Sequence, residues 1–556
     1  MPMTERTMSF DPVARARHNR DRRANTPQLL AERSAETPDE IFAFLGDETI
    51  TYGALHARVL HWAAVLQGQG VKAGDHVFTF AAPDFDGYAI WLGLAWLGAV
   101  EVPINPAHRG PVLAHAMRMS DARLALVSAA FLDRIRDVYD DTPGFETILI
   151  LGAGEAPLPD ESRFVLLQDT DAFAAAGPLD HSTLIEPQPH HIACIIFTSG
   201  TTGLAKAVLV PWGQIIAQTY LGRIDMENED RFNMNEDSVF YAFFPTFHMS
   251  GRYALALSLA RGARMAFRQM FSVENFWTDV DRYGCTHAQL LAPMMAFLMT
   301  KPESPEDRRH TLACVSGGPI GDVMNRFMRR YDVRVRTGFG MTEIGGPIGT
   351  AWLSPEEAPA SCGVAVVGPP GIELRIVDAH DNPVPPGSSG ELIVRAADPW
   401  TLNAGYYKNP EATAEAWRNG WFHTGDIMLA DERGEYHFVD RAKDCIRRRG
   451  ENISSFEVES YAAQHPDLLE VAAVPHPSDY GHGEDEVKLW ATAKPGAAPD
   501  PAQVHAWLTE HMPAYMTPRF IEIVVNLPKT EATQRVQKHT LRASGNSDIT
   551  WDALAT

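Results

Sequence analysis

The sequence predicts an α/β protein: a large, multilayered N-terminal α/β region with a small β-rich subdomain, then a small α+β region. Three observations predict it. From Ile41 onward, short β-rich runs alternate with amphipathic helical stretches, the texture of parallel α/β layers. From about 361 to 440 that texture gives way to short alternating strands between Gly and Pro turns. Beyond it, the last ~110 residues read as a compact α+β module. A chain of 556 residues also exceeds one ordinary core, so at least two domains are expected.

Taken in order, residues 1–40 read as a polar arm leading into a first helix. Val77–Phe80, Val100–Pro103, Leu124–Val127 and Thr147–Leu151 have the β-branched and apolar content of buried strands. Tyr52–Gln69 and Phe85–Leu97 are the helices among them. Residues 152–190, rich in Pro, Gly and Asp, read as a surface connection. A second α/β pattern runs from Ile192 to about 350. In the β-rich unit, Glu373–Val377, Gly390–Val394 and Gly434–Val439 are strand-like. The C-terminal module offers strands Val471–Pro475, Val487–Ala493 and Ile521–Val525, with helices Phe456–His465 and Pro501–His511.

Composition narrows the partners. The formal net charge is −23, which repels nucleic acid and anionic membrane and excludes both as expected partners. Any anionic ligand must then be held by local devices: backbone N–H groups, helix N-termini and a few placed cations. The apolar stretch Tyr88–Ile104 is interrupted by Gly93, Gly98 and Glu101, so it reads as a buried helix and strand instead of a membrane span. The start of the chain is polar, and its basic run is not followed by an apolar stretch of signal-peptide length. Five scattered cysteines without a CxxC pair suit a reduced, cytoplasmic protein with no structural zinc site.

Four strings carry the chemistry. Thr198-Ser199-Gly200-Thr201-Thr202-Gly203-Leu204-Ala205-Lys206 follows the apolar run Ile192–Phe197. Hydroxyls, closely approaching glycine backbone and a lysine can wrap a polyphosphate, although the GxxxxGK[ST] spacing is absent. Thr337-Gly338-Phe339-Gly340-Met341-Thr342-Glu343 puts a hydroxyl and a carboxylate just past a glycine-rich strand end, where a metal–phosphate complex can sit. In Trp421-Phe422-His423-Thr424-Gly425-Asp426, the Asp426 carboxylate can accept both hydroxyls of a ribose. The last string is the charged run Asp440–Ile453, with Arg441, Lys443 and Gly450 inside it.

In this order and spacing the strings resemble the adenylate-forming superfamily of acyl-CoA synthetases, peptide-synthetase adenylation domains and luciferases. The resemblance runs from Thr51-Tyr52-Gly53 to Leu541. It includes Phe247-His248-Met249-Ser250-Gly251, Ser316-Gly317-Gly318-Pro319, Gly390-Glu391-Leu392 and Gly405-Tyr406-Tyr407. It implies an N-terminal AMP-binding domain, 1–442, and a mobile C-terminal domain, 443–556, that rotates between two half-reactions. In the first, a carboxylic acid and MgATP give acyl-AMP; in the second, a thiol attacks the acyl-AMP. Carried onto this chain, Thr198–Lys206 cradles the β- and γ-phosphates. Thr342 contacts the α-phosphate and Glu343 the Mg2+ ion. Gly317, Gly318 and Pro319, with Gly338, Phe339, Gly340 and Met341, bracket adenine and the acyl pocket. Asp426 and Arg441 hold the ribose, Lys443 is the hinge, Gly450 lies beside the pantetheine tunnel, and His248 lies near the acyl pocket.

One departure is chemical. The superfamily's C-terminal motif carries a Gly-Lys whose lysine serves adenylation. Here the tail reads Pro528-Lys529-Thr530-Glu531-Ala532-Thr533-Gln534-Arg535-Val536, with Arg535 at the lysine position and one extra residue. Arg is a planar fork, Lys a compact point charge, and a tight site distinguishes them. Two expectations follow: Arg535, Lys529 or Lys538 substitutes, or the enzyme specialises in thioesterification of acyl-AMP supplied by a partner adenylating ligase. Phe339 for the usual Tyr keeps the stacking surface. Coenzyme A is the expected acceptor, since no carrier-protein segment follows the tail motif before Thr556. A stand-alone enzyme loading a carrier protein is the alternative, and a homodimer is among the partners considered. The pocket strings Phe244–Gly251 and Phe339–Gly349 hold no acidic residue for an α-amine beyond Glu343, which favours a plain carboxylic acid.

Overall fold

The computed structural model describes residues 25–138, 140, 142, 144–152, 165–168, 176–198, 206–221, 232–318, 321–357, 361–365, 371–441, 444, 446–448, 451–453, 455–478, 485–529 and 536–555. Of the expected site residues, Ser199–Gly203, Pro319, Lys443, Gly450 and Arg535 lie outside this set. The chain divides into two compact units, the first drawn from 1–198, 205–373 and 395–415, the second from 199–204, 374–394 and 416–556.

The first unit is built on two seven-stranded sheets. One has the order Val165–Gln168, Thr147–Leu151, Leu124–Ser128, His76–Phe80, Val100–Pro103, Ile192–Thr198, Lys206–Pro211. Its neighbours are parallel except the last pair. The other runs Arg334–Arg336, Cys314–Gly318, His287–Leu291, Val239–Ala242, Arg264–Phe267, Ile41–Leu45, Glu48–Thr51, again parallel until its last pair. The α/β alternation is therefore borne out, and in this unit the expected strands and helices are present to within a residue or two. Helices lie between the sheets. Tyr88 of helix Phe85–Trp96 meets Phe267 of the second sheet edge-on at 5.7 Å, and the same helix packs on strand Val100–Pro103 of the first. The central strands of both sheets are mostly buried and largely apolar, as expected of parallel sheets covered on both faces, with Glu101 and His287 among the buried polar exceptions. Among the described residues of 152–190 lies a strand beyond expectation, Val165–Gln168, which pairs in parallel with Thr147–Leu151. Four residues at a sheet edge are too short to show a period.

A small antiparallel set, Gly338–Met341, Gly345–Gly349 and Gly363–Ala365, completes this unit. In the second unit, Ser389–Ala396, Phe422–Ala430 and Glu435–Arg441 form antiparallel neighbours. Leu468–Pro477, Asp485–Ala493, Phe520–Val524 and Trp551–Asp552 form a four-stranded sheet. Helices Ser455–Ala462 and Pro501–His511 accompany it, and Val458, Val487, Leu489, Val504, Leu508 and Ile521 belong to its own apolar core. The first of these helices ends at Ala462, short of the expected His465, where Pro466 disfavours helical backbone. Among the described residues, no helix is long and apolar enough to cross a membrane. Cys194, Cys285, Cys314 and Cys362 are buried and form no disulfide.

Candidate functional site

The first unit places several of the expected residues at strand ends. Thr198 closes strand Ile192–Thr198 and Lys206 opens Lys206–Pro211; the two are register partners, with Thr198 Oγ1 donating to the Lys206 carbonyl at 3.4 Å. The expected phosphate loop is thus the connection between two antiparallel strands. On the other side of Lys206–Pro211 runs the segment 404–407. Ala404 N–H donates to the Leu209 carbonyl (2.9 Å), Leu209 N–H to Gly405 (2.9 Å) and Tyr407 N–H to Ala207 (2.8 Å).

This zipper brings Tyr406 to Glu343. The tyrosine hydroxyl donates to Glu343 Oε1 at 3.1 Å, and the Lys206 ammonium lies 4.6 Å from the centre of the tyrosine ring. Burial first, then the Glu343 charge, raises the Tyr406 pKa, so the phenol keeps its proton and acts as the donor. Asn403 donates its backbone N–H and its side-chain Nδ2 to the Glu343 carbonyl, each at 2.9 Å. Gln214 Nε2 donates to the Thr342 carbonyl at 2.7 Å. Thr342 and Glu343 follow strand Gly338–Met341 directly, so their backbone is held by that strand, by Gln214 and by Asn403. Glu343 is 5% exposed. A buried carboxylate beside a threonine hydroxyl is a hard-oxygen set of the kind that holds Mg2+ together with phosphate oxygens and water. The residues present fit that ion.

Glycine sets how closely these strands approach. A Cβ on Gly317 would lie 1.9 Å from the Leu290 carbonyl oxygen, and one on Gly340 would lie 2.2 Å from that of Gly345. Gly318 ends strand Cys314–Gly318. Gly338, Phe339 and Met341 pair with Gly349, Ile348 and Gly345. His248 is the residue before helix Met249–Arg261, half-buried, its ring 4.6 Å from that of Phe247.

The second unit holds the ribose candidates. Asp426, also 5% exposed, pairs across antiparallel strands with Arg441. The turn before it is fixed by Glu391. Glu391 Oε1 accepts from Gly425 N–H at 2.9 Å, and Oε2 lies 3.0 Å from His423 Nδ1. Gly425 has φ +71°, a conformation glycine takes without steric cost. Thr424 Oγ1 donates to the Leu392 carbonyl (2.7 Å) and accepts from Asp426 N–H (3.1 Å). In the tail, Lys529 pairs with Glu470, while Lys538 Nζ lies 2.8 Å from Glu459 Oε1 and donates to Ser455 Oγ.

Two family models match the chain: the AMP-binding enzyme over residues 30–407 and the AMP-binding enzyme C-terminal domain over 457–533. The chain belongs to the AMP-binding enzyme family. A crotonobetaine/carnitine–CoA ligase of Citrobacter koseri is 29% identical to it over 503 residues, spanning 88% of this chain and 92% of the relative. An anthranilate CoA ligase structure in complex with anthranoyl-AMP superposes with a TM-score of 0.78 at 24% identity, over 94% of this chain and 97% of that one. O-succinylbenzoate coenzyme A synthetase from Bacillus subtilis, in complex with AMP, gives 0.78 at 21%, over 94% and 99%. The expected fold class and the resemblance to adenylate-forming enzymes are borne out.

Sequence reasoning passed over four residues of this AMP-binding enzyme. Tyr406 and Glu391 stand inside strings quoted for the resemblance, Gly405-Tyr406-Tyr407 and Gly390-Glu391-Leu392, but nothing local assigned them a partner. Gln214 and Asn403 carry no signal at all, since a lone amide gains meaning only from what it touches.

Proposed function

We propose that this AMP-binding enzyme is an acid–thiol ligase that activates a carboxylic acid as its acyl-adenylate with ATP and transfers the acyl group to coenzyme A. The observation that carries the reading is the fixed Glu343 carboxylate, with Thr342 before it and Lys206 against Tyr406. The CoA ligases among its relatives support the acceptor. When bound, Mg2+ supplies positive charge to the phosphates. Thr198, Ser199, Gly200, Thr201, Thr202, Gly203 and Lys206 bind the β- and γ-phosphates, and Thr342 orients the α-phosphate. Gly317, Gly318 and Pro319, with Gly338 to Met341, shape the adenine and acyl pockets, and His248 borders the acyl group. Asp426 accepts the ribose hydroxyls with Arg441 beside it. Residues 443–556 pivot on Lys443 between half-reactions, and Gly450 then borders the incoming pantetheine.

A narrower reading concerns the adenylation cation, and one observation favours it. Lys529 and Lys538, the lysines flanking Arg535, are already engaged by Glu470 and by Glu459 with Ser455. Neither is a ready substitute for the missing lysine, which leaves Arg535. On this reading the enzyme mainly converts acyl-AMP delivered by a partner ligase. The test is a panel of carboxylic acids assayed for ATP–pyrophosphate exchange and for acyl-CoA formation, in parallel with chemically supplied acyl-AMPs. Acyl-CoA from acyl-AMP but not from free acid, with exchange gained in Arg535→Lys, supports the partner reading. Acyl-CoA from free acid at an ordinary ~1–10³ s⁻¹ removes it and leaves the ligase reading intact. No acyl-CoA from either source removes both.

A further inference from the structure

Tyr406 belongs to a matching string without a role of its own, yet its side chain touches two motifs at once. Its hydroxyl donates to Glu343, and its ring lies under the Lys206 ammonium. We infer that Tyr406 is a positioning residue that fixes the metal-holding carboxylate and the phosphate-holding lysine at one spacing, its hydroxyl serving the metal and its ring serving the phosphates. The inference rests on the ligase reading above and adds a residue to it.

The placement is rigid. Tyr406 is 7% exposed and stands opposite Val208, so it and Lys206 ride on paired segments of backbone. Its N–H donates to Thr413 Oγ1 at 2.9 Å. Gly405 before it has φ +107°, and a Cβ there would lie 2.8 Å from Thr413 Cγ2. The backbone at 406 is therefore held in place, and burial with the Glu343 hydrogen bond confines the ring. Among the described residues Lys206 enters no ion pair, so the aromatic face steers the ammonium without neutralising it, and the charge stays available to a polyphosphate. For Glu343, a buried carboxylate oxygen needs a donor or a cation. The phenol gives one oxygen a neutral donor, which orients the group without cancelling its charge.

The chemistry separates by substitution. Tyr406→Phe removes the hydroxyl and keeps the ring; Tyr406→Leu removes both. The experiment uses the full-length protein and reads Mn2+ affinity in the presence of ATP by electron paramagnetic resonance. Metal-free ATP and AMP affinities are read by calorimetry in chelator. Tyr406→Phe is expected to weaken Mn2+ binding roughly fivefold, the factor of an ordinary hydrogen bond, with metal-free ATP and AMP held within about twofold. Tyr406→Leu is expected to weaken metal-free ATP as well, while AMP, which lacks the β- and γ-phosphates, stays near the wild-type value. Unchanged Mn2+ affinity in Tyr406→Phe, or equal loss of AMP and metal in both variants, overturns the inference, the second because it marks collapse of the fold around residue 406. If the wild-type protein binds neither AMP nor Mn2+–ATP, the ligase reading falls first.

Discussion

Among single residues, Asp426 has the sharpest expected effect. A carboxylate that accepts from two ribose hydroxyls makes charge-assisted hydrogen bonds worth roughly 1.5–3 kcal/mol each. Asp426→Ala is therefore expected to weaken AMP at least tenfold by calorimetry, and an unchanged constant removes Asp426 from the ribose site. The residue was legible because its string is short and local. Its support was not: Glu391 comes from a neighbouring strand, 35 positions earlier in sequence (426 − 391), and only the fold brings it to Gly425. His287 gives a test of a different kind. It is 5% exposed, and its Nε2 meets the Phe232 carbonyl at 3.0 Å. Burial above all pushes its pKa down to about 4, with Arg336 adding to the effect and the Phe232 carbonyl opposing it. The unfolded chain takes up this proton below about pH 6.5, the folded one only near 4. Stability from this site is thus complete above about 6.5 and lost as pH falls toward 4, by up to about 3 kcal/mol. Apparent melting temperature against pH should fall less steeply in His287→Gln than in the wild type.

At the scale of elements, the sequence hid a buried ion pair between a helix and a strand. Arg252, on helix Met249–Arg261, lies 2.7 Å from Glu101 on strand Val100–Pro103. Glu101 also accepts from Thr79 Oγ1 at 2.6 Å, and the guanidinium sits 4.4 Å from the Trp91 ring centre. Both charges are buried, and they tie the helix that His248 precedes to the first sheet. Removing one partner leaves a buried charge alone, so Arg252→Ala should cost about 3–5 kcal/mol, whereas paired apolar replacement is often near neutral. Denaturation of Arg252→Ala against the double variant Glu101→Leu/Arg252→Met measures this; equal losses would mean the pair is not what joins these elements. In sequence, Glu101 looked only like an interruption in an apolar run. Alternation and length made the strand and helix readable, but a charge partner 151 positions away (252 − 101) leaves no periodic trace.

For the whole molecule, a net charge of −23 and anionic ligands must coexist, and local devices make that workable. Strand ends rich in glycine and Lys206, which enters no ion pair among the described residues, are local devices of this kind. The proposed two-step reaction adds a demand on motion. If Lys443 is the hinge, Lys443→Pro fixes φ near −65° and removes an N–H, which restricts the pivot. Separate assays of adenylate formation and of acyl-AMP thioesterification should then show one half-reaction lost and the other kept. Loss of both in equal measure would point to misfolding and count against the hinge.

The sequence by itself determined the fold class, the strand and helix order and the candidate ligand strings. These are written in local terms: periodicity, glycine and proline placement, and hydroxyl, lysine and carboxylate types at short spacing. Only the tertiary structure decided which distant residues hold those strings in place. Tyr406 and Asn403 fix Glu343, Gln214 fixes Thr342, Glu391 fixes the turn before Asp426, and acidic partners occupy the lysines on either side of Arg535. The physical reason is range. Backbone preference acts between neighbours along the chain, whereas a hydrogen bond or ion pair joins whatever groups packing brings within about 3 Å, at any separation in sequence.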